Sequence, residues 1–275
     1  MAQSTKSFLV LFSKKEPLDL SIAKKLPFLR GLNLGAQPHC RYHGPDDGNR
    51  RRLMDFIFML TRQDQTVSDC LSVMAEIQPV GLKHVGFKDI GADLDTLRVL
   101  NRMIQETGAI SYMEVVSTTT EAALNSARIA VEMGVDRLLG GTQVTPILEI
   151  LQGSGIAYFP FPGRPEGHPT LLGGSPATIE ADTRAYLAQG CAGVDLLAYR
   201  ATEAEPLELV AAARRALGRT KTLICAGGVD SPARIAALRD AGCDLFTIGS
   251  AAFDGSFSPR KGSLRSQLTD ILACV

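Results

Sequence analysis

Apolar residues in this chain gather into eight short runs, spaced by stretches with a helical rhythm. The runs are FIFML (56–60), KHVGF (83–87), ISYMEV (110–115), RLLGG (137–141), AYFPF (157–161), VDLLAY (194–199), TLICA (222–226) and LFTIG (245–249). Each is nearly continuous in apolar character, the pattern of a strand buried on both faces. Between runs the period changes from two to 3.6. In TTEAALNSARIAVEMG, residues Ala122, Ala123, Ala127, Ile129, Ala130 and Met133 form one inward stripe. The threonines at 118–120 offer an N-cap followed by Glu121, and Gly134 offers a C-cap. Ser175-Pro176 opens a later helix that Gly190 ends, and Ser231-Pro232 opens another that Gly242 ends.

Strand, helix and strand repeated at these spacings predict parallel strands joined by right-handed crossovers. Eight units predict closure into a single (β/α)8 TIM barrel. An open doubly wound sheet would need a topological switch point, and no GxGxxG follows the first strand. The barrel is expected over residues 56–275. Residues 1–55 stay outside the repeat and are expected to form an N-terminal extension of the same domain. That extension holds a strand-like FLVLF, a short helical LDLSIAKKLPFL and the polar HCRYHGPDDGNRRR. It would cover the barrel bottom or support a subunit contact. After Phe253 a Ser/Pro/Gly-rich loop leads to a last helix near Ser263–Ala273.

Length agrees with this reading, since 275 residues fit one barrel of roughly 250 residues plus an extension. Lys+Arg and Asp+Glu both number 29, so no net charge favours nucleic acid or an anionic membrane, and any anion site must be local. No apolar run approaches the roughly 20 residues that span a bilayer. A cytoplasmic location is expected. The cysteines Cys40, Cys70, Cys191, Cys225, Cys243 and Cys274 are scattered and read as reduced thiols. Cys40 lies between His39 and His43, but no carboxylate or second cysteine stands at ligand spacing, so no metal is expected.

Runs seven and eight end in glycines. ICAGGVDSPARI places Gly227 and Gly228, and FTIGSAAF places Gly249 and Ser250, just past the carboxyl end of an apolar strand. Glycine permits φ > 0 and a close approach of backbone to ligand, and a short helix from Ser250 to Phe253 would aim its first amides at an anion. Barrels that bind phosphate usually do so after strands seven and eight. The alternative is that these glycines serve only tight turns. This pair of motifs resembles the "GGI" and "IGSA" corners of the ribulose-phosphate-binding barrel superfamily. The resemblance is strong over the last third and elsewhere rests on the strand–helix rhythm. It implies a phosphorylated small substrate held by Gly227, Gly228, Gly249 and Ser250. It does not select among epimerase, decarboxylase, aldolase-type lyase and isomerase chemistry.

Polar residues at strand carboxyl ends should face the active site of a barrel. In order these are Thr61, Arg62 and Asp64, then Lys88 and Asp89, then Glu114, Ser117 and Thr118. Gly140, Gly141, Thr142 and Gln143 come next, followed by Arg164 and His168, and then Asp195, Tyr199 and Arg200. Lys88 is the first catalytic candidate. It could attack a substrate carbonyl as a desolvated amine, or stabilise an enediolate as an ammonium. An ion pair with Asp89 or Glu114 would be the plain alternative. Glu114 shares a pleat face with Ile110 and Tyr112, and facing inward it suits a general base. Arg62, Thr142, Arg164 and Arg200 are candidate substrate-binding residues. The glycine-rich PGRPEGHPTLLGG loop could close over substrate. Asp195 sits early in its run and reads as a buried carboxylate bonded to backbone or to a basic neighbour. The expected activity is proton abstraction or carbon–carbon chemistry beside the carbonyl of a phosphorylated sugar, without a cofactor and in a homodimer. The other readings are a non-catalytic phospholigand-binding barrel and a flavin or nucleotide-phosphate enzyme.

Overall fold

The computed structural model describes residues 54–116 and 119–275. The N-terminal extension, its His39–His43 segment, Ser117 and Thr118 lie outside the described residues. The chain enters the barrel through β1 (Asp55–Met59), followed by a hairpin of β2 (Thr61–Arg62) and β3 (Gln65–Thr66). Next come α1 (Cys70–Ile77), β4 (His84–Lys88), α2 (Leu94–Glu106), β5 (Ile110–Val115), α3 (Thr120–Met133), β6 (Arg137–Gly140), α4 (Val144–Leu151) and β7 (Ala157–Phe159). A second hairpin, β8 (Arg164–Glu166) with β9 (Leu171–Gly173), precedes α5 (Pro176–Ala188). The last units are β10 (Gly193–Leu196), α6 (Pro206–Leu217), β11 (Thr222–Cys225), α7 (Pro232–Asp240), β12 (Leu245–Ile248), α8 (Ser250–Phe253) and α9 (Leu264–Leu272).

Among the described residues eight parallel strands run in the order β10-β11-β12-β1-β4-β5-β6-β7. The Ala192 amide donates to Tyr158 O at 3.0 Å and the Asp195 amide to Pro160 O at 3.0 Å, which draws the two ends of the sheet together. The result is the (β/α)8 barrel that the eight apolar runs predict. Successive strand residues alternate between two cores. Ile57, Met59, Tyr112, Leu139, Phe159, Ile224 and Leu245 fill the barrel interior. Phe56, Phe58, Val85, Phe87, Met113, Leu138, Val194, Leu196, Leu223 and Phe246 belong to the larger core between sheet and helices. Both faces are therefore dry, which explains why the strands read as continuous apolar runs.

The caps follow the sequence. Thr119 Oγ1 accepts the Ala122 amide at 3.4 Å, and Gly134 ends α3 at φ +65°. Ser175 Oγ accepts the Thr178 amide at 3.2 Å ahead of Pro176. No helix among the described residues is long and apolar enough to cross a membrane. Cys70, Cys191, Cys225 and Cys243 are free and buried.

Two segments differ from a plain strand–helix alternation. Both are hairpins laid over the carboxyl ends of the strands. The PGRPEGHPTLLGG stretch reads in the sequence as a long loop that could close over substrate. It is the β8–β9 hairpin, paired from Arg164↔Gly173 to Glu166↔Leu171.

Candidate active site

The carboxyl ends of the strands surround a cavity of about 300 Å³. Lys88 and Glu114 line it together with Gly227, Gly228, Gly249 and Ser250. Lys88 and Glu114 are the last inward positions of β4 and β5, opposite each other in register. The Ile110–Tyr112–Glu114 alternation therefore turns the carboxylate inward, as the pleat requires. Lys88 Nζ lies 3.0 Å from Glu114 Oε1 and 3.1 Å from Asp64 Oδ1. Asp89 points the other way. It accepts from the Val116 amide at 3.1 Å and from the Ser126 hydroxyl.

Asp64, named among the strand-end polar residues but not among the catalytic or binding candidates, is the hub. The β2–β3 hairpin turns on Gln63 and Asp64, at φ +48° and +60°. Neither is glycine, and such a turn usually carries Asn or Gly, so the backbone holds a costly conformation. The turn sets the Asp64 carboxylate over the barrel mouth. There it accepts from Lys88 Nζ, from both Arg200 terminal nitrogens at 2.8 Å each, and from the Thr170 amide at 3.2 Å. Burial alone would raise its pKa. The Arg200 hydrogen bonds and the Lys88 charge outweigh burial and hold the carboxyl well below the usual range. Arg200 also donates to Thr170 O at 3.2 Å, so the β8–β9 hairpin is fastened to the hub. Thr66 fixes the lysine backbone from the same hairpin. Its Oγ1 accepts the Lys88 amide and donates to Lys88 O, both at 2.8 Å.

Lys88 is 4% exposed. Burial works against its charge, but Glu114 and Asp64 more than offset this and raise its pKa above the ordinary lysine value. It is an ammonium at neutral pH. Asp195 lies on β10 beneath this group and is 0% exposed, and neither carboxylate oxygen has a hydrogen-bond partner among the described residues. The partner expected for it, backbone or a base, is not there. Burial and then the Glu114 charge push its pKa well above the normal value, against the pull of Lys88 and Arg200.

The glycine corner has a different local cause from the one its sequence suggests. A Cβ on Gly227 (φ +73°) would come within 2.3 Å of Arg200 Nε, and one on Gly249 within 2.8 Å of Thr61 O. Both are therefore required by packing against protein. The Gly227 amide donates to Thr247 Oγ1 at 3.3 Å, so it is already engaged. The amides of Ser250 and Ala251 open α8 and have no acceptor within that helix. Asp230 and Asp254 also line the cavity, and each is matched by an arginine outside it. Arg234 meets Asp230 at 2.9 Å, and Arg62 Nε meets Asp254 at 3.0 Å.

Of the four substrate-binding candidates, only Arg200 lines this cavity. Arg62 stays at the rim with Asp254, with its side chain 53% exposed. Arg164 turns to Glu203 on the surface. Thr142 lines a separate small crevice with Val115, Gly141 and Phe161. Thr247, which carries the engaged hydroxyl, sits inside a run that reads as apolar, and only the barrel register reveals that it faces inward.

No family model matches the sequence, and no curated protein matches it. Solved structures do match the coordinates. The native KDPGal structure aligns at a TM-score of 0.57 with 14% identity, covering 80% of this chain and 93% of that one. Orotidine 5'-phosphate decarboxylase from Pyrococcus horikoshii aligns at 0.56 with 11% identity, covering 80% and 98%. Thiamine phosphate pyrophosphorylase from Pyrococcus furiosus aligns at 0.56 with 12% identity, covering 82% and 97%. This chain shares their (β/α)8 barrel fold. At these identities the likeness concerns the fold alone. What distinguishes this barrel is its own set of ionisable side chains, with Asp64, Lys88, Glu114, Asp195 and Arg200 gathered at one end.

Proposed function

We propose that this protein is an enzyme that moves a proton beside the carbonyl of a small phosphorylated sugar or similar compound. One observation carries the reading. The Lys88–Glu114 pair, 3.0 Å apart, lines the same cavity as the two glycine corners. A non-catalytic binder would also pair Lys88 with Glu114, as they are paired here, but would leave no open space above them. Orotidine 5'-phosphate decarboxylase and thiamine phosphate pyrophosphorylase, which share the fold, carry phosphorylated compounds in their names. Substrate phosphate would rest against the Gly228 and Ser250 side of the cavity, with its carbonyl toward Lys88.

Glu114 would take the proton from the carbon next to the carbonyl. The electron pair moves onto the carbonyl oxygen, and the Lys88 ammonium stabilises the enediolate. Return of the proton to the same or the adjacent carbon gives epimerisation or isomerisation. The same electrophile would serve carbon–carbon cleavage. Because Asp64 and Glu114 keep Lys88 protonated, the electrophile role is favoured over a Schiff base.

The test is exchange of substrate carbon-bound protons in heavy water, followed by NMR over a panel of sugar phosphates. Wild type should exchange at least one. Lys88→Ala should lower the rate by about 10²–10⁴-fold while binding of inorganic phosphate stays nearly intact. Undiminished exchange in Lys88→Ala would remove the lysine from the mechanism. A borohydride-trapped covalent adduct would restore the Schiff-base version.

A further inference from the structure

Inside the mouth of the barrel, three carboxyls meet two cations. Lys88 and Arg200 balance Asp64 and Glu114 through direct contacts. Asp195 is the third carboxyl, and it is fully enclosed with no donor on either oxygen among the described residues. Its neighbours in the sheet bring apolar groups, Ile224 in register on β11 and the buried Phe159 on β7. The charged groups that bear on it are Glu114 from β5, Lys88 from β4 and Arg200 from the turn after β10. An ionised carboxylate without donors in such a place is prohibitively costly, whereas a neutral acid is not.

We propose that Asp195 keeps its proton at neutral pH and acts as a positioning residue, so that no second enclosed negative charge competes with Glu114 for a substrate proton. The raised pKa of Asp195 agrees with this geometry. Its ionisation would place a third negative charge among two cations. The catalytic consequence rests on the proposed proton-transfer reaction. The placement of the proton does not, so each can fail without the other.

The placement is tested in the full chain with Asp195→Asn, a neutral near-isostere. A carboxyl that keeps its proton in the fold binds that proton more tightly than the unfolded chain does. Its cost is absent below the unfolded value near 3.8 and grows as pH rises toward the folded value. Asp195→Asn should therefore melt like wild type near pH 4 and higher than wild type at pH 8, by about 2–4 °C or more. A variant that melts lower at pH 8 would mean that Asp195 is ionised and partnered, which overturns the proposal. Should the variant fail to fold, wild type labelled with ¹³C at aspartate carboxyls gives a second reading. One enclosed aspartate should stay protonated at pH 7, and ionisation of every aspartate there would overturn the proposal. Asp89 is also raised by burial, but it keeps donors from Ser126 and Val116 and serves as the internal control.

The catalytic half is read from the pH dependence of proton exchange. In Asp195→Asn the acid limb should stay in place, and the alkaline limb set by Asp195 should vanish or move up by at least one pH unit. An unchanged alkaline limb would reduce Asp195 to a structural residue.

Discussion

The two ends of this barrel both bury polar side chains among apolar ones, yet they are built on opposite plans. At the floor, where the strands begin, Arg137 Nη1 donates to the Tyr112 hydroxyl at 2.7 Å. That hydroxyl lies 2.9 Å from His84 Nδ1. The hydroxyl can accept from arginine and give its own hydrogen to Nδ1 of a neutral imidazole that carries its proton on Nε2. Lys83 meets Asp55 at 3.1 Å beside it. Every member of this floor chain has a partner. At the mouth the same strands β4 and β5 present Lys88 and Glu114, and there a cavity opens and one carboxyl is left over. Burial of polar groups is thus common to both ends. What marks the mouth is surplus: an unmatched carboxyl and a strained turn at Gln63-Asp64.

The difference can be broken most forcefully at Asp64. Asp64→Asn keeps the size and tolerates the φ +60° backbone, so it isolates the charge. Arg200 and Lys88 then face a single carboxylate, Glu114. Loss of one partner from a buried ion network should lower unfolding free energy by about 3–5 kcal/mol, read by urea denaturation. The spare carboxyl predicts something more specific. In Asp64→Asn, Asp195 can ionise and restore the balance, so adding Asp195→Asn should cost more than the sum of the single effects. Simple additivity would mean that the mouth, like the floor, holds no reserve.

A smaller effect separates the two ends by pH. Burial is the main cause that lowers the His84 pKa from 6.5 to about 4, assisted by Arg137 and Lys83 against the pull of Asp55. The unfolded chain therefore binds the proton more readily than the folded one. Stability from the floor is complete above about pH 6.5, falls as pH drops through the window toward 4, and levels off below it. The loss amounts to about 3 kcal/mol. His84→Gln, which keeps an acceptor for Tyr112, should flatten that window while leaving the alkaline behaviour of Asp195 untouched. Melting curves between pH 4 and 7 decide it.

How much of this was readable beforehand differs between the ends as well. All eight barrel strands were legible because each is dry on both faces, and Glu114 was placed by the alternation from Ile110 through Tyr112. Lys88 stood out as a charge closing an apolar run. Asp64 did not, because a hairpin of two residues per strand is too short to show a period, and its partners Arg200 and Thr170 are more than a hundred residues away. The same distance misled the reading of the loop arginines, since nothing local ties Arg164 to Glu203 or Arg62 to Asp254. The glycine corners were found for a reason that is only half theirs. Gly227 and Gly249 make room for Arg200 and Thr61, and all four line the cavity.

The mildest test asks whether floor and mouth are independent. Tyr112 spans the distance between them, since its hydroxyl reaches the floor while Glu114 follows two residues later on the same face of β5. Tyr112→Phe removes only the hydroxyl. Arg137 is half-buried and can turn to water, and it keeps its place over the ring, 5.2 Å from the centroid. The neutral His84 loses one donor at Nδ1. The expected cost is about 1 kcal/mol in unfolding free energy, as for a single net hydrogen bond. Substrate proton exchange should remain within about twofold of wild type, because the phenyl ring still fills the layer beneath Glu114 and fixes its height. A tenfold fall in exchange with so small a loss of stability would break the division. It would mean that the hydrogen-bonded floor holds the carboxylate in position through the ring, and that the polar groups at the two ends of the barrel work as one.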